Sequence, residues 1–237
     1  MKHHILTVLQ EKSWPAVAEE LGRFPEKEVV NHLFTALCHP SEVCKWHGVS
    51  GFGVVVPRLA EKDAETARVI MRRFLWNLND ESGGIGWGLP EAMGEVMAHS
   101  SLLFAEYHHM LLSYMREEGP EIYAHGNFIE LPALQRGVLW GVARLVDGRR
   151  QEMSGRGVAE DVCKYLFSDD QVVRAMAAWC LGLCGEERCL DVLESLVDIP
   201  QTFTFYWQYR FEEISVGAMA RRALSMIRSS ADTSAGQ

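Results

Sequence analysis

The chain lacks any long apolar run. Val54-Val55-Val56 stops at Pro57, and no window approaches the roughly 20 apolar residues that a membrane-crossing helix requires. The opening Met1 to Glu11 has an apolar stretch too short for a secretory leader and ends in charge, so a cytoplasmic location is expected, with no membrane partner. Basic residues are also scarce: 23 Lys and Arg stand against 32 Asp and Glu, a formal charge of −9. A nucleic-acid groove needs the opposite balance and is excluded as a leading reading. Six cysteines are present, but Cys180 and Cys184 sit one helical turn apart with Cys189 shortly after, which suits reduced, packed thiols better than a disulfide frame. Phosphate-cradling glycine motifs and the nucleophile elbow of hydrolases are missing as well.

What the sequence does have is apolar residues at helical spacing. Val29, Leu33, Phe34 and Leu37 form one stripe, and Val69, Ile70, Phe74, Leu75 and Leu78 another. Others run through Leu102 to Tyr114, Leu134 to Leu145 and Val172 to Leu183, with breaks at Pro15, Pro25, Pro40, Gly83 to Pro90, Gly119-Pro120, Asp147-Gly148 and Pro200. The pattern predicts about eleven helices joined by short loops and an all-α fold. Thr202 to Phe211 departs from it: Phe203, Phe205, Trp207, Tyr209 and Phe211 alternate with mostly polar residues, which predicts an extended loop or short hairpin. Ser229 to Gln237 reads as a flexible polar tail.

The helices also echo one another. Arg174 to Leu181 aligns with Gly217 to Leu224, and Leu134 to Leu139 precedes the first of these by a similar step of about 40 residues, the length of a stacked helix pair. Small residues at Ala175, Ala178, Gly182 and Ala218 would let neighbouring helices approach closely. Asp169 to Arg174, followed by Ala177-Ala178, Leu181-Gly182, Leu190, Leu193, Leu196 and Asp198, resembles a complete HEAT repeat, with 63 to 79, 134 to 147 and 214 to 228 as weaker relatives. The string Trp76 to Glu95 is similar to that of a small group of HEAT-like bacterial proteins. These resemblances imply a right-handed α-α superhelix over residues 1–228, with a glycine-rich loop and a short aromatic segment as insertions. They imply no activity.

Asn79 to Gly88 is the most informative loop. Gly83, Gly84, Gly86 and Gly88 cost entropy on ordering, which points to positive φ angles or close backbone approach. Pro90 suits the start of a new helix, and Glu91, Glu95 and His99 then project from one face. With Asn79, Asp80, Glu81, Trp76 and Trp87 they outline a polar pocket with aromatic walls. The bland alternative makes the loop a structural connection, with Trp87 plugging the core. Arg72, Arg136 and Arg174 recur on separate helices as a candidate anion-holding ladder, or as inter-repeat ion pairs. Asn127, Glu130 and Trp140 complete the candidate partner-binding set.

Metal signatures are incomplete. Glu106-x-x-His109 has no second copy, as a di-iron bundle needs, and the His-Glu dipeptides of HEAT-repeat hydroxylases are absent. Cys38, His39, Cys44 and His47 lack zinc spacing. No metal, cofactor or catalytic residue is therefore expected. The leading reading is a non-enzymatic scaffold for a protein or peptide; the alternative is a small-molecule or metal site at Asn79 to Gly88 with Glu91 and Glu95.

Overall fold

The structure, a computed structural model, describes residues 2–11, 13–79, 86–117 and 127–235. Their contacts cluster into two compact units, residues 1–111 and 112–237. Among the described residues there are thirteen α-helices and one two-stranded sheet, against the eleven helices and one extended segment expected. The excess comes from short pieces in the second unit.

The first unit comprises α1 (Lys2–Glu11), α2 (Trp14–Leu21), α3 (Glu26–Leu37), α4 (Glu42–Lys62), α5 (Ala64–Leu78), α6 (Leu89–His99) and most of α7 (Ser101–Ser113). The long α4 is its axis, with α1, α2, α3, α5 and α6 packed around it. Its glycines permit that crowding: a Cβ at Gly48 would stand 2.9 Å from the Ala36 Cβ, and one at Gly53 2.4 Å from the Glu95 Cγ. Phe34, Phe52 and Phe74 meet in one aromatic cluster with ring centroids 4.9 to 5.3 Å apart. Side-chain caps begin two of the helices. Ser41 accepts from the Cys44 N–H, and Asp63 from the Thr66 N–H, satisfying donors that a helix start leaves open.

The second unit comprises α8 (Pro132–Gly148), α9 (Arg150–Met153), α10 (Val158–Cys163), α11 (Gln171–Cys184), α12 (Leu190–Ser195), β1 (Thr202–Trp207), β2 (Arg210–Ser215) and α13 (Val216–Ala235). Helix α11 packs between α8 and α13, buried along most of its length. Gly182 is what lets α13 in, since its Cβ would lie 2.9 Å from the Ala223 Cα. Asp170 caps α11 through the Val173 N–H, and Gly185, at φ 72°, ends it by donating to the Leu181 carbonyl.

One sequence expectation is overturned. Cys189 is not a packed thiol: it forms a disulfide with Cys163, across 26 residues. Nothing in sequence spacing announced that pair, because the end of α10 and the turn before α12 are separate segments 26 residues apart that only the fold brings together. Residues 229–235 continue α13, where Ser229 and Ser230 donate hydroxyl bonds back to Ser225 and Met226. A polar tract can extend a helix already nucleated by a packed segment. The aromatic segment forms the short hairpin that its alternation allowed, β1 and β2 joined by a two-residue turn at Gln208 and Tyr209, both with positive φ (47° and 66°). Phe205 therefore faces Trp179, Trp207 meets both Trp140 and Trp179, and Phe211 packs on Tyr206.

Candidate functional site

Arg72, Trp76, Asn79, Trp87, Glu91, Glu95 and His99 belong to the first unit, and Asn127, Glu130, Arg136 and Trp140 to the second. Asp80 and Glu81, with most of the glycine loop, lie outside the described residues.

In the first unit the exposed candidates gather at the end of α5. Glu65, Val69, Arg72 and Trp76 recur at helical spacing on one face of that helix. Val69 is 52% and Trp76 76% exposed. The Arg72 guanidinium donates to Glu65 at 2.6 Å, an exposed pair, and Arg68 makes a two-pronged bond to Glu106 of α7 at 2.7 and 2.8 Å. The Arg68–Glu106 pair ties α7 to α5, and Leu102, one turn before Glu106 on α7, is also exposed. The turn into α6 arrives at this end too: a Cβ at Gly86 would meet Leu78 and the Asn77 carbonyl oxygen. Trp87, next in the chain, is 41% exposed and is no core plug. Asn79 closes α5, its N–H donating to the Leu75 carbonyl.

The acidic face of α6 is a different environment. Glu95 is buried, with Oε1 3.2 Å from the His99 Nε2, and its stem rests against Gly53 of α4. Glu91 stands one turn earlier. Its residue is only partly covered, but Oε2 is sealed from solvent and has no hydrogen-bond partner. Burial raises its pKa to about 7, opposed by its own backbone N–H and by Lys45 at the start of α4 and aided by Glu42. A carboxyl so placed carries its proton near neutral pH, a state that the spacing of Glu91 and Glu95 had only hinted at.

In the second unit the two candidate arginines are engaged within the fold. Arg136 makes an ion pair with Asp170 through two nitrogens, and Asp170 also caps α11. Burial raises the Asp170 carboxyl, but Arg136 and the Val173 N–H outweigh it and hold the group below the usual range. Arg174 donates to the Ser168 carbonyl oxygen. Trp140 is in the core, its Nε1 donating to the Tyr206 carbonyl at 2.7 Å, so it seats the hairpin. Glu130 is exposed and Asn127 half-buried just before α8. Among the described residues no cluster of three His, Cys, Asp or Glu is arranged to hold a metal, and no helix is long and apolar enough to cross a membrane.

Sequence reasoning missed the exposure of Val69 and Leu102. Both sit in apolar stripes, and periodicity alone cannot say which member of a stripe is left uncovered. No family model and no curated protein sequence matches the chain. Its fold is similar to that of an engineered protein (14% identity, 96% of each chain covered, TM-score 0.48) and of computationally designed armadillo repeat proteins for modular peptide recognition (13%, 95% of this chain and 91% of that one, TM-score 0.48). A designed armadillo repeat protein in complex with the peptide (KR)4 superposes similarly (13%, 94% and 98%, TM-score 0.48). Likeness at that level says nothing of what this chain binds.

Proposed function

We propose that the chain is a non-enzymatic scaffold of HEAT-like helix pairs, wound as the right-handed superhelix its sequence resembles, that holds a protein or peptide segment in the cytoplasm. The observation that carries this reading is the pair of exposed indoles, Trp76 at the end of α5 and Trp87 in the turn into α6, with Val69 exposed on the same face of α5 as Trp76. Leaving a tryptophan 76% exposed forfeits apolar burial that folding could have gained, and such side chains are the commonest anchors of protein interfaces. A net charge of −9 favours a basic segment carrying an apolar residue over an acidic one, a nucleic acid or an anionic membrane. The resemblance of Trp76 to Glu95 to HEAT-like bacterial proteins belongs to the same proposal.

The test is tryptophan fluorescence during titration with lysine-rich peptides containing one Leu or Phe, against acidic peptides of equal length. Saturable quenching by the basic peptides, lost in Trp76→Ala with melting unchanged, is expected. Equal binding of acidic peptides, or retention in Trp76→Ala, rejects the reading. The unpartnered Glu91 Oε2 favours a second reading, in which the α6 end takes a small ligand or cation. A calcium or manganese titration that stabilises the protein, but not its Glu91→Gln variant, would support it; indifference of both would remove it.

A further inference from the structure

The second unit contains an open pocket of about 420 Å3 that is lined by none of the candidates above. It lies within the range of small-molecule sites. One wall is the segment from Arg150 through the Ser154-Gly155-Arg156-Gly157 turn into α10, and the other is the end of α11 at Leu183 and Cys184, with Arg188 beyond it. Gly155 and Gly157 have φ near 70°, and a Cβ at either would meet nothing within 4 Å, so the turn keeps its backbone open to the pocket. The disulfide Cys163–Cys189 joins the two walls, since α10 ends at Cys163 and Cys189 follows Arg188. The walls are thus covalently held at their spacing.

Charge decides what such a pocket accepts. Arg188 is matched by Glu186 through two bonds of 2.8 and 2.9 Å, and Glu160 also faces it. The Arg156 Nε donates to the Glu152 carbonyl oxygen. Arg150 is exposed and has no carboxylate partner among the described residues. Arg150 and Cys184 line the same pocket from its two walls. In a chain with nine more acidic than basic groups, an arginine left without a carboxylate on the rim of a clamped pocket is conspicuous.

We propose that this pocket binds a small oxyanion-bearing molecule, a phosphate ester or a carboxylate, with the Arg150 guanidinium as its principal anchor and Cys184 at the wall it covers. A guanidinium fork suits either oxyanion, because both present two oxygens in one plane.

The experiment uses the full chain with its disulfide intact and Cys38→Ser, leaving Cys184 as the accessible thiol of the four outside the disulfide. Inorganic phosphate and succinate, with chloride as the control, are titrated while thiol modification by an aromatic disulfide reagent is timed. Saturable slowing of Cys184 modification by phosphate or by succinate is expected, the more effective ion naming the source. Arg150→Met should weaken the effect at least tenfold with the melting temperature unchanged, and Arg150→Lys should restore part of it. Slowing by chloride equal to that by the oxyanions, no saturation with either, or an unaltered response in Arg150→Met would each overturn the proposal.

Discussion

In the first unit Glu26, His47, Ser50, Glu95 and Ser100 are buried around α3, α4 and α6; in the second, no charged side chain is among the fully buried ones described, and α11 is enclosed by apolar and aromatic groups. Each buried polar group of the first unit needs an answer. Glu26 has Lys62 at 2.6 Å and Arg58 at 3.1 Å, His47 is hydrogen-bonded to the Leu9 carbonyl at 2.8 Å, and Glu95 has His99. Among the described residues of the first unit the Glu91 Oε2 is sealed without one, as the Trp179 Nε1 is in the second. The contrast teaches where each unit is vulnerable: the first to protons, the second to added volume and to loss of its disulfide.

The largest effect should come from volume. A Cβ on Gly217, at the start of α13, would lie 2.2 Å from the Val197 carbonyl oxygen, and backbone cannot swing aside as a side chain can. Gly217→Ala should cost about 3 kcal/mol in urea unfolding, near the upper end for overpacking. Gly53→Ala in the first unit should cost less, because the obstacle is the Glu95 side chain, and Glu95→Ala in the same chain should recover part of the loss. Equal costs, with no recovery, would erase the distinction between the two cores.

Protons should act on the first unit almost as strongly. The Glu91 pKa is raised from 4.5 to about 7, so its folded form binds a proton that the unfolded chain has already released. Stability from this group is therefore present below about pH 4.5 and is lost as pH rises through 7, about 3 kcal/mol in all. Glu91→Gln removes the loss, so the variant should exceed the parent by up to about 3 kcal/mol at pH 8 and by little at pH 5. His47 runs the other way: burial lowers its pKa despite the Leu9 carbonyl, so its contribution fades as pH falls below the normal histidine range. Chemical denaturation at pH 5, 6.5 and 8 reads both slopes. A Glu91→Gln advantage that does not grow with pH would sink the assignment of a sealed, unpartnered carboxyl.

The disulfide ranks next. Closing 26 residues restricts the unfolded chain enough for about 3 kcal/mol on the chain-entropy model. Reduction, or Cys163→Ser with Cys189→Ser, should lower stability by that order, and amide exchange should speed in α10 and near Arg188 before it changes around α4. Uniform acceleration would mean that the units do not respond separately.

These contrasts also show which features a sequence carries. The helices were legible because periodicity records which residues are covered: Val29, Leu33 and Leu37 on α3 and Val172, Val173 and Met176 on α11 are buried as their spacing implies. The Asp170 cap was visible for the same local reason, a side chain acting on a backbone N–H three residues away. The Cys163–Cys189 pair, the position of the turn at Gln208-Tyr209 and the sealing of Glu91 were not legible, since each depends on what distant segments bring alongside. Glu91 and Glu95 have the same spacing signal and opposite outcomes. Glu95 meets a histidine one turn on, whereas Glu91 meets a wall.

The smallest stability effect is the most useful test of the proposed surface. Trp76 is 76% exposed, so Trp76→Ala removes little buried area and should shift unfolding by no more than about 0.5 kcal/mol. Trp87→Ala should cost about 1 kcal/mol, since more of its ring is covered. Both should weaken a basic, apolar-anchored peptide at least tenfold, and the parent's fluorescence should be red-shifted relative to Trp76→Ala because the wet indole is the one removed. Binding and stability thus dissociate at an exposed anchor. If Trp76→Ala instead lowers stability by more than 1 kcal/mol, the ring is covered in solution, the α5 face is part of the packing, and the first unit presents no aromatic anchor to a partner.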